Sequence, residues 1–214
     1  MTAPPRSTPG AGLRIGLTGG IGSGKSTVAR MLVECGARLV DTDAISRSLT
    51  QPGGAAIPAV RQAFGDAAIA PAGGMDRDRM RALVFVDADA KARLEALLHP
   101  LILAECDRQA ALAAPAEVIV FDVPLLVESA TRWRDRVDRI LVVDCSAELQ
   151  AERVAQRPGW THAAALSVIA QQAPREARRA VADAVILNEG LTLAQLNEET
   201  KALWRRWCHV EQSA

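Results

Sequence analysis

The chain has little that would place it in a membrane, a disulfide framework or a metal cage. No window of its 214 residues reaches the roughly 20 consecutive apolar residues that a bilayer-spanning helix needs. Residues 1–10 lack the apolar core of a signal peptide, so residues 1–12 read as a disordered leader and 209–214 as a tail. Cys35, Cys106, Cys145 and Cys208 are scattered without C-x-x-C pairing, which suits reduced thiols in a cytoplasmic enzyme. His99, His162 and His209 are equally dispersed, so no metal cluster built from protein ligands alone is expected. The 25 basic and 25 acidic residues balance, leaving no global electrostatic case for nucleic acid or an anionic membrane; any polyanion site must be local.

What is present is a phosphate-binding signature. Gly19, Gly20, Ile21, Gly22, Ser23, Gly24, Lys25 and Ser26, followed by Thr27, fit G-x-x-x-x-G-K-[ST] directly after the apolar stretch 13–18. The glycines let backbone N–H groups point inward around a phosphate chain, Lys25 can reach the β- and γ-phosphates, and the Ser26 hydroxyl can ligate Mg²⁺. The helix beginning near Lys25 adds its positive dipole end. A dinucleotide fingerprint read from Gly20 and Gly22 would need glycine at position 25, where lysine stands, so the site reads as one for a mononucleoside triphosphate.

With 49% of the chain apolar there is material for one substantial core. Short strand patterns recur at 13–18, 38–41, 118–122, 139–143 and 184–187, separated by helical patterns, which predicts an α/β fold with a parallel sheet flanked by helices. The helix after the phosphate loop buries Val28, Met31, Leu32 and Cys35 and stops at Gly36. About 46–114 reads as an inserted helical lobe, too long for a single crossover, and about 153–181 as a helical lid, with core segments at about 13–45, 115–152 and 182–208.

Several residues carry candidate chemistry. Asp41-Thr42-Asp43 ends the second strand, and period-two alternation turns both carboxylates to one side, where one can orient and deprotonate an attacking hydroxyl; the competing reading is an aspartate that caps the next helix. Asp122 ends an apolar strand, in the manner of a carboxylate that holds Mg²⁺ through water. Pro124 and Leu125 follow and position backbone over a substrate, while Glu128 reads as a solvated helix charge. Arg153, Arg157, Arg175, Arg178 and Arg179 cluster in or beside the lid; most read as a solvated basic face, and Arg157, before Pro158-Gly159, is the candidate that closes on the transferred phosphoryl group. His99-Pro100 reads as a helix boundary, where a histidine is usually a capping or packing residue.

Together these residues resemble the dephospho-coenzyme A kinase family from about position 13 to 190. The resemblance rests on the segment 17–27, on Asp41-Thr42-Asp43, on Leu97-Leu98-His99-Pro100, on Val123-Pro124-Leu125-Leu126-Val127-Glu128, and on Gln172, Arg175, Arg178, Asp183 and Asn188-Glu189-Gly190. It implies a phosphate-loop core, a helical domain for the pantetheine-bearing substrate, and a lid. It also implies transfer of the ATP γ-phosphoryl group to the ribose 3′-hydroxyl of dephospho-coenzyme A with Mg²⁺. By motif, Asp43 is then the base, His99 a substrate-side residue, Arg157 the lid arginine, and Asn188 and Gly190 lie near adenine. The expected enzyme is monomeric and cytoplasmic, with no nucleic-acid or membrane partner. Two departures stand out: the family usually has D-A-D at Asp41-Thr42-Asp43, and Leu187 stands where an aspartate is common. The rival readings are another small phosphate-loop nucleoside or nucleotide kinase and a nucleotide-binding switch; no N-K-x-D guanine motif supports the latter.

Overall fold

The computed structural model describes residues 12–208, so the expected leader, save Gly12, and the tail lie outside the described residues. The chain divides into two compact units, Asp41–Leu112 and the segments on either side of it.

The flanking segments build the sheet. Among the described residues it has five strands, β1 (Arg14–Gly19), β2 (Arg38–Asp41), β3 (Ile119–Asp122), β4 (Arg139–Asp144) and β5 (Ala184–Leu187), in the order β2-β3-β1-β4-β5. Pairing is parallel between β1 and β3, β1 and β4, and β4 and β5. A strand covered on both faces needs apolar residues without alternation, and β1 and β4 supply them: Ile15, Leu17, Leu141, Val142 and Val143 are all buried. Gly16 lets Leu126 close on the sheet, since a Cβ there would stand 2.7 Å from Leu126 Cδ1. In register, Leu17 lies opposite Asp122, Gly19 opposite Val143, and Asp144 opposite Leu187, so the strand ends that carry the candidate residues share one edge.

Helix α1 (Lys25–Glu34) buries Val28, Ala29, Met31 and Leu32. Cys35, expected on that face, stands one residue beyond the helix and is half-buried; Gly36 follows at φ 106°, a left-handed conformation suited to glycine. Against α1 packs α10 (Leu193–Cys208), whose start is a reciprocal cap: Thr192 Oγ1 accepts the Gln195 N–H at 3.2 Å, and Gln195 Oε1 accepts the Thr192 N–H at 2.9 Å.

The unit Asp41–Leu112 is helical: α2 (Thr42–Thr50), α3 (Ile57–Phe64), α4 (Arg77–Val86) and α5 (Ala88–Ala110) enclose Ala56, Val60, Ala68, Met80 and Leu98. Asp41, Asp76 and Asp87 each cap the following helix through the side chain, accepting from the N–H of Ala44, Arg79 and Ala90. The boundary expected at His99-Pro100 is absent, because α5 runs through both residues. Pro100 offers no N–H to the Ala96 carbonyl, and the helix persists because Leu94, Leu97, Leu98, Leu101 and Ile102 all pack into this unit's core.

The remaining helices belong to the sheet-bearing unit: α6 (Ala130–Trp133), α7 (Ala147–Ala155), α8 (His162–Gln171) and α9 (Arg175–Ala180). Ala151 and Val154 of α7 and Ala165 of α8 form a small core with Ile21, Trp160 and Ile169. Helices α7 and α8 thus meet the phosphate loop at Ile21 through apolar side chains.

Candidate active site

The loop between β1 and α1 owes its shape to its glycines. Gly22 and Gly24 sit at φ 77° and 100°, which other residues adopt at a cost, and Gly24 opens α1 without a side-chain cap. The Gly24 carbonyl accepts the Thr27 and Val28 N–H groups at 2.9 and 3.2 Å, and the N-terminal end of α1 carries the positive end of the helix dipole. Lys25 Nζ is paired with the carboxylate of Asp122, at the end of β3. Asp122 is buried, so the lysine is held at the strand edge by a charge that an incoming phosphate must outcompete.

The outside of the loop is gripped by long-range donors. Asn188 Nδ2 donates to the Ser23 carbonyl at 2.8 Å. Arg153, on α7, reaches the Gly22 and Ser23 carbonyls at 3.4 Å each and the Asn188 carbonyl at 3.1 Å. Within the loop, the Ser23 N–H donates to the Gly20 carbonyl at 3.0 Å, closing a tight turn. Asn188, expected near adenine, is therefore only 5% exposed and bonded to the loop itself, whereas Gly190 is exposed at φ 69°. Ile21 donates its N–H to Gln172 Oε1 at 2.9 Å, which ties the loop to the connection between α8 and α9.

The solvated basic face expected at the lid is not what the fold makes of most of these arginines. Arg153 is held on loop carbonyls, Arg178 is buried, and Arg175 Nε bonds both carboxylate oxygens of Asp144 at 3.0 and 2.8 Å. This bonding to Asp144, which is itself fully buried at the end of β4, raises the Arg175 pKa above its ordinary value. Glu189 joins the cluster by accepting the Ser146 N–H and lying 3.4 Å from Arg175 Nη2. Arg157 and Arg179 are exposed, Arg157 just past the end of α7.

Pro124 and Leu125 stand in the turn 124–129 after β3. The Pro124 carbonyl accepts the Thr18 hydroxyl at 3.1 Å, anchoring the turn to β1, and Leu125 is exposed. Glu128 is neither helical nor merely solvated, because its carboxylate accepts the Ala173 N–H at 2.7 Å.

Asp41 and Asp43 differ from their expected placement. The chain turns helical at Thr42, so strand alternation ends at Asp41, whose Oδ1 caps α2 by accepting the Ala44 N–H at 2.8 Å. Asp43 lies in the first turn of α2 and is exposed. The cap that competed with the catalytic reading is thus made by Asp41, and not by Asp43. His99 lies mid-helix in α5, half-buried.

For a metal, the chain offers hard oxygens: the exposed Ser26 hydroxyl and the Asp122 carboxylate. Among the described residues no three His, Cys, Asp or Glu side chains form a cage. One or two protein oxygens completed by phosphates and water is the habit of Mg²⁺ at nucleotide sites, so the residues fit that ion.

The sequence pattern of the dephospho-CoA kinase family matches residues 13–194. A dephospho-CoA kinase of Burkholderia pseudomallei is 50% identical over 200 residues, covering 94% of this chain and 98% of that protein. One of Bordetella pertussis is 53% identical over 202 residues, covering 94% of each. The crystal structure of TT1252 from Thermus thermophilus superposes with a TM-score of 0.79 at 30% identity, covering 92% of this chain and 98% of that one. This chain belongs to the dephospho-CoA kinase family.

Proposed function

We propose that this chain carries out the ATP-dependent phosphorylation of dephospho-CoA, its family's reaction, by transferring the γ-phosphoryl group to the ribose 3′-hydroxyl through the residues described above. The observation that carries the reading is the phosphate loop with Lys25 held beside Asp122 at the sheet edge. The loop N–H groups and Lys25 bind and orient the triphosphate, and the Ser26 hydroxyl and Asp122 carboxylate would hold Mg²⁺. When bound, Mg²⁺ neutralises charge on the β- and γ-phosphates. Asp43 orients the 3′-hydroxyl and accepts its proton late in a loose transfer. Support for this is its exposed carboxylate two residues past the end of β2, now separated from the capping role of Asp41.

His99, Pro124 and Leu125 serve the acceptor. Arg157 closes over the donor from the lid, and Gly190 borders adenine. Asn188 acts on the nucleotide through the loop it holds, which its bond to Ser23 supports. No described helix is long and apolar enough to cross a membrane. Four free thiols suit a reducing compartment such as the cytoplasm, and the balanced charge gives nucleic acid no general purchase.

Two substitutions test the assignment. Lys25→Ala is expected to lower kcat by about 100- to 1,000-fold. Asp43→Asn is expected to lower it by about two to four orders of magnitude with little change in ATP affinity, and Asp41→Asn by much less. An active Asp43→Asn beside an inactive Asp41→Asn reverses the two roles.

A further inference from the structure

The fold treats the three arginines of α9 differently. Arg175 bonds Asp144 through Nε, and Arg179 Nη1 lies 3.9 Å from the same carboxylate. Arg178 is 5% exposed, and among the described residues no carboxylate lies within ion-pair distance of it. Its Nη1 donates to the Ala173 carbonyl, and its Nε is buried without an acceptor. Its Nη2 lies against the phosphate loop, 3.1 Å from where a Cβ on Gly20 would stand. Glu128, the acid that meets this network, accepts the Ala173 N–H instead.

A guanidinium cannot shed its proton at any ordinary pH, so burial leaves Arg178 a fixed charge in a poor solvent. Removing its natural partner from such a charge is what makes buried ions costly, and no protein carboxylate fills that place. The guanidinium is also held in place. Ala173 fixes Nη1, the neighbouring Gln172 accepts the Ile21 N–H, and Glu128 anchors Ala173, so the connection between α8 and α9 pins Arg178 to the loop. Beside it lies a cavity of about 210 Å³ lined in part by Gln150, Gln172 and Arg178.

We propose that the missing counter-charge is the phosphate end of ATP: Arg178 supplies positive charge from the α9 side of the loop, which the bound triphosphate neutralises. This rests on the reading that the loop holds ATP. It makes Arg178, placed by the fold before any lid movement, a second cation beside Lys25, and it accounts for why the loop needs glycine at position 20, where a side chain would strike Gln150 and crowd Arg178. Negative charge spread over the equatorial oxygens during transfer gains from a fixed guanidinium that requires no reorganisation.

The test is calorimetric ATP binding with Mg²⁺, together with ligand-free thermal unfolding, for wild type, Lys25→Ala, Arg178→Met and Arg178→Lys. Arg178→Met is expected to weaken ATP by about 10- to 100-fold, the range for losing a charge-assisted contact, while its ligand-free Tm holds or rises because an unbalanced charge has gone. Arg178→Lys is expected to recover part of the affinity. ATP binding within twofold of wild type in Arg178→Met overturns the proposal, as does a loss that Arg178→Lys shares in full, which marks a structural peg. Arg178→Gln, neutral but still able to reach the Ala173 carbonyl, is the second neutral variant and is read in the same way if Arg178→Met does not fold. If wild type binds no ATP, or Lys25→Ala binds as well as wild type, the reading of the loop fails and the proposal with it; normal binding by wild type and by Arg178→Met refutes the proposal alone.

Discussion

Gly24→Ala tests how tightly the phosphate loop is held from outside. Gly24 sits at φ 100°, and a Cβ added there would strike Asn188 Nδ2, the donor to the Ser23 carbonyl. Forcing an L-residue into the left-handed region costs about 1–2 kcal/mol. Displacing a buried amide from its acceptor adds about 1–3 kcal/mol, so the substitution is expected to cost roughly 2–5 kcal/mol in all. Asn188→Ala alone is expected to cost about 1–2 kcal/mol, since Arg153 still reaches the Ser23 carbonyl at 3.4 Å. In the double variant the clash disappears and only strain plus the missing bond remain. Urea unfolding should therefore give a double-variant loss below the sum of the singles, with a coupling of about 1–3 kcal/mol. Strict additivity would refute the contact between Asn188 and the loop, and a Gly24→Ala loss under about 1 kcal/mol would refute the strain.

Other outcomes follow from the same geometry. His99→Ala should raise KM for dephospho-CoA more than KM for ATP, and a change confined to ATP would remove His99 from the acceptor side. Residues 155–175 should show fast amide exchange in the free protein and gain protection with ATP and acceptor; equal protection in both states would make this segment a fixed scaffold. Burial, outweighing the nearby Arg153, pushes the Cys145 thiol up from its ordinary value. Cys145 should thus resist iodoacetamide at pH 8 until the protein unfolds, and rapid native labelling would contradict this. Hydrogen bonds from Arg108 and Gln109 pull Glu105 down to about 2. A lowered folded pKa gives a stabilisation that is present above the unfolded carboxylate range and is lost as pH falls toward about 2; a Glu105 NMR titration midpoint near 4 would disprove the pairing.

All five strands were legible in the sequence because apolar runs bounded by turn residues leave few alternatives, and the phosphate loop because its spacing is a chemical requirement. The Asp41–Asp43 region misled because strand alternation was carried two residues too far, past Asp41 into the first turn of α2. Asp41 was already a good helix cap, and once Thr42 turns helical the two carboxylates no longer share a face. At Pro100 the local rule favoured a break, but the leucines around it bury against the helical unit and outweigh one missing hydrogen bond. The grips on the loop were beyond reach of local pattern, since Asn188 and Arg153 meet Ser23 across 165 and 130 positions of chain. Nor does any spacing show that Asp144 takes Arg175 and leaves Arg178 without a carboxylate, although Asp144 ends an apolar strand as Asp122 does.

The central claim is the identity of the acceptor. A coupled assay of ADP release should be run on the purified protein with ATP, Mg²⁺ and, in separate reactions, dephospho-CoA, adenosine and AMP. The account predicts ADP and coenzyme A from dephospho-CoA, with turnover on the other two at background. Faster turnover on adenosine or AMP, or none on dephospho-CoA, would contradict it.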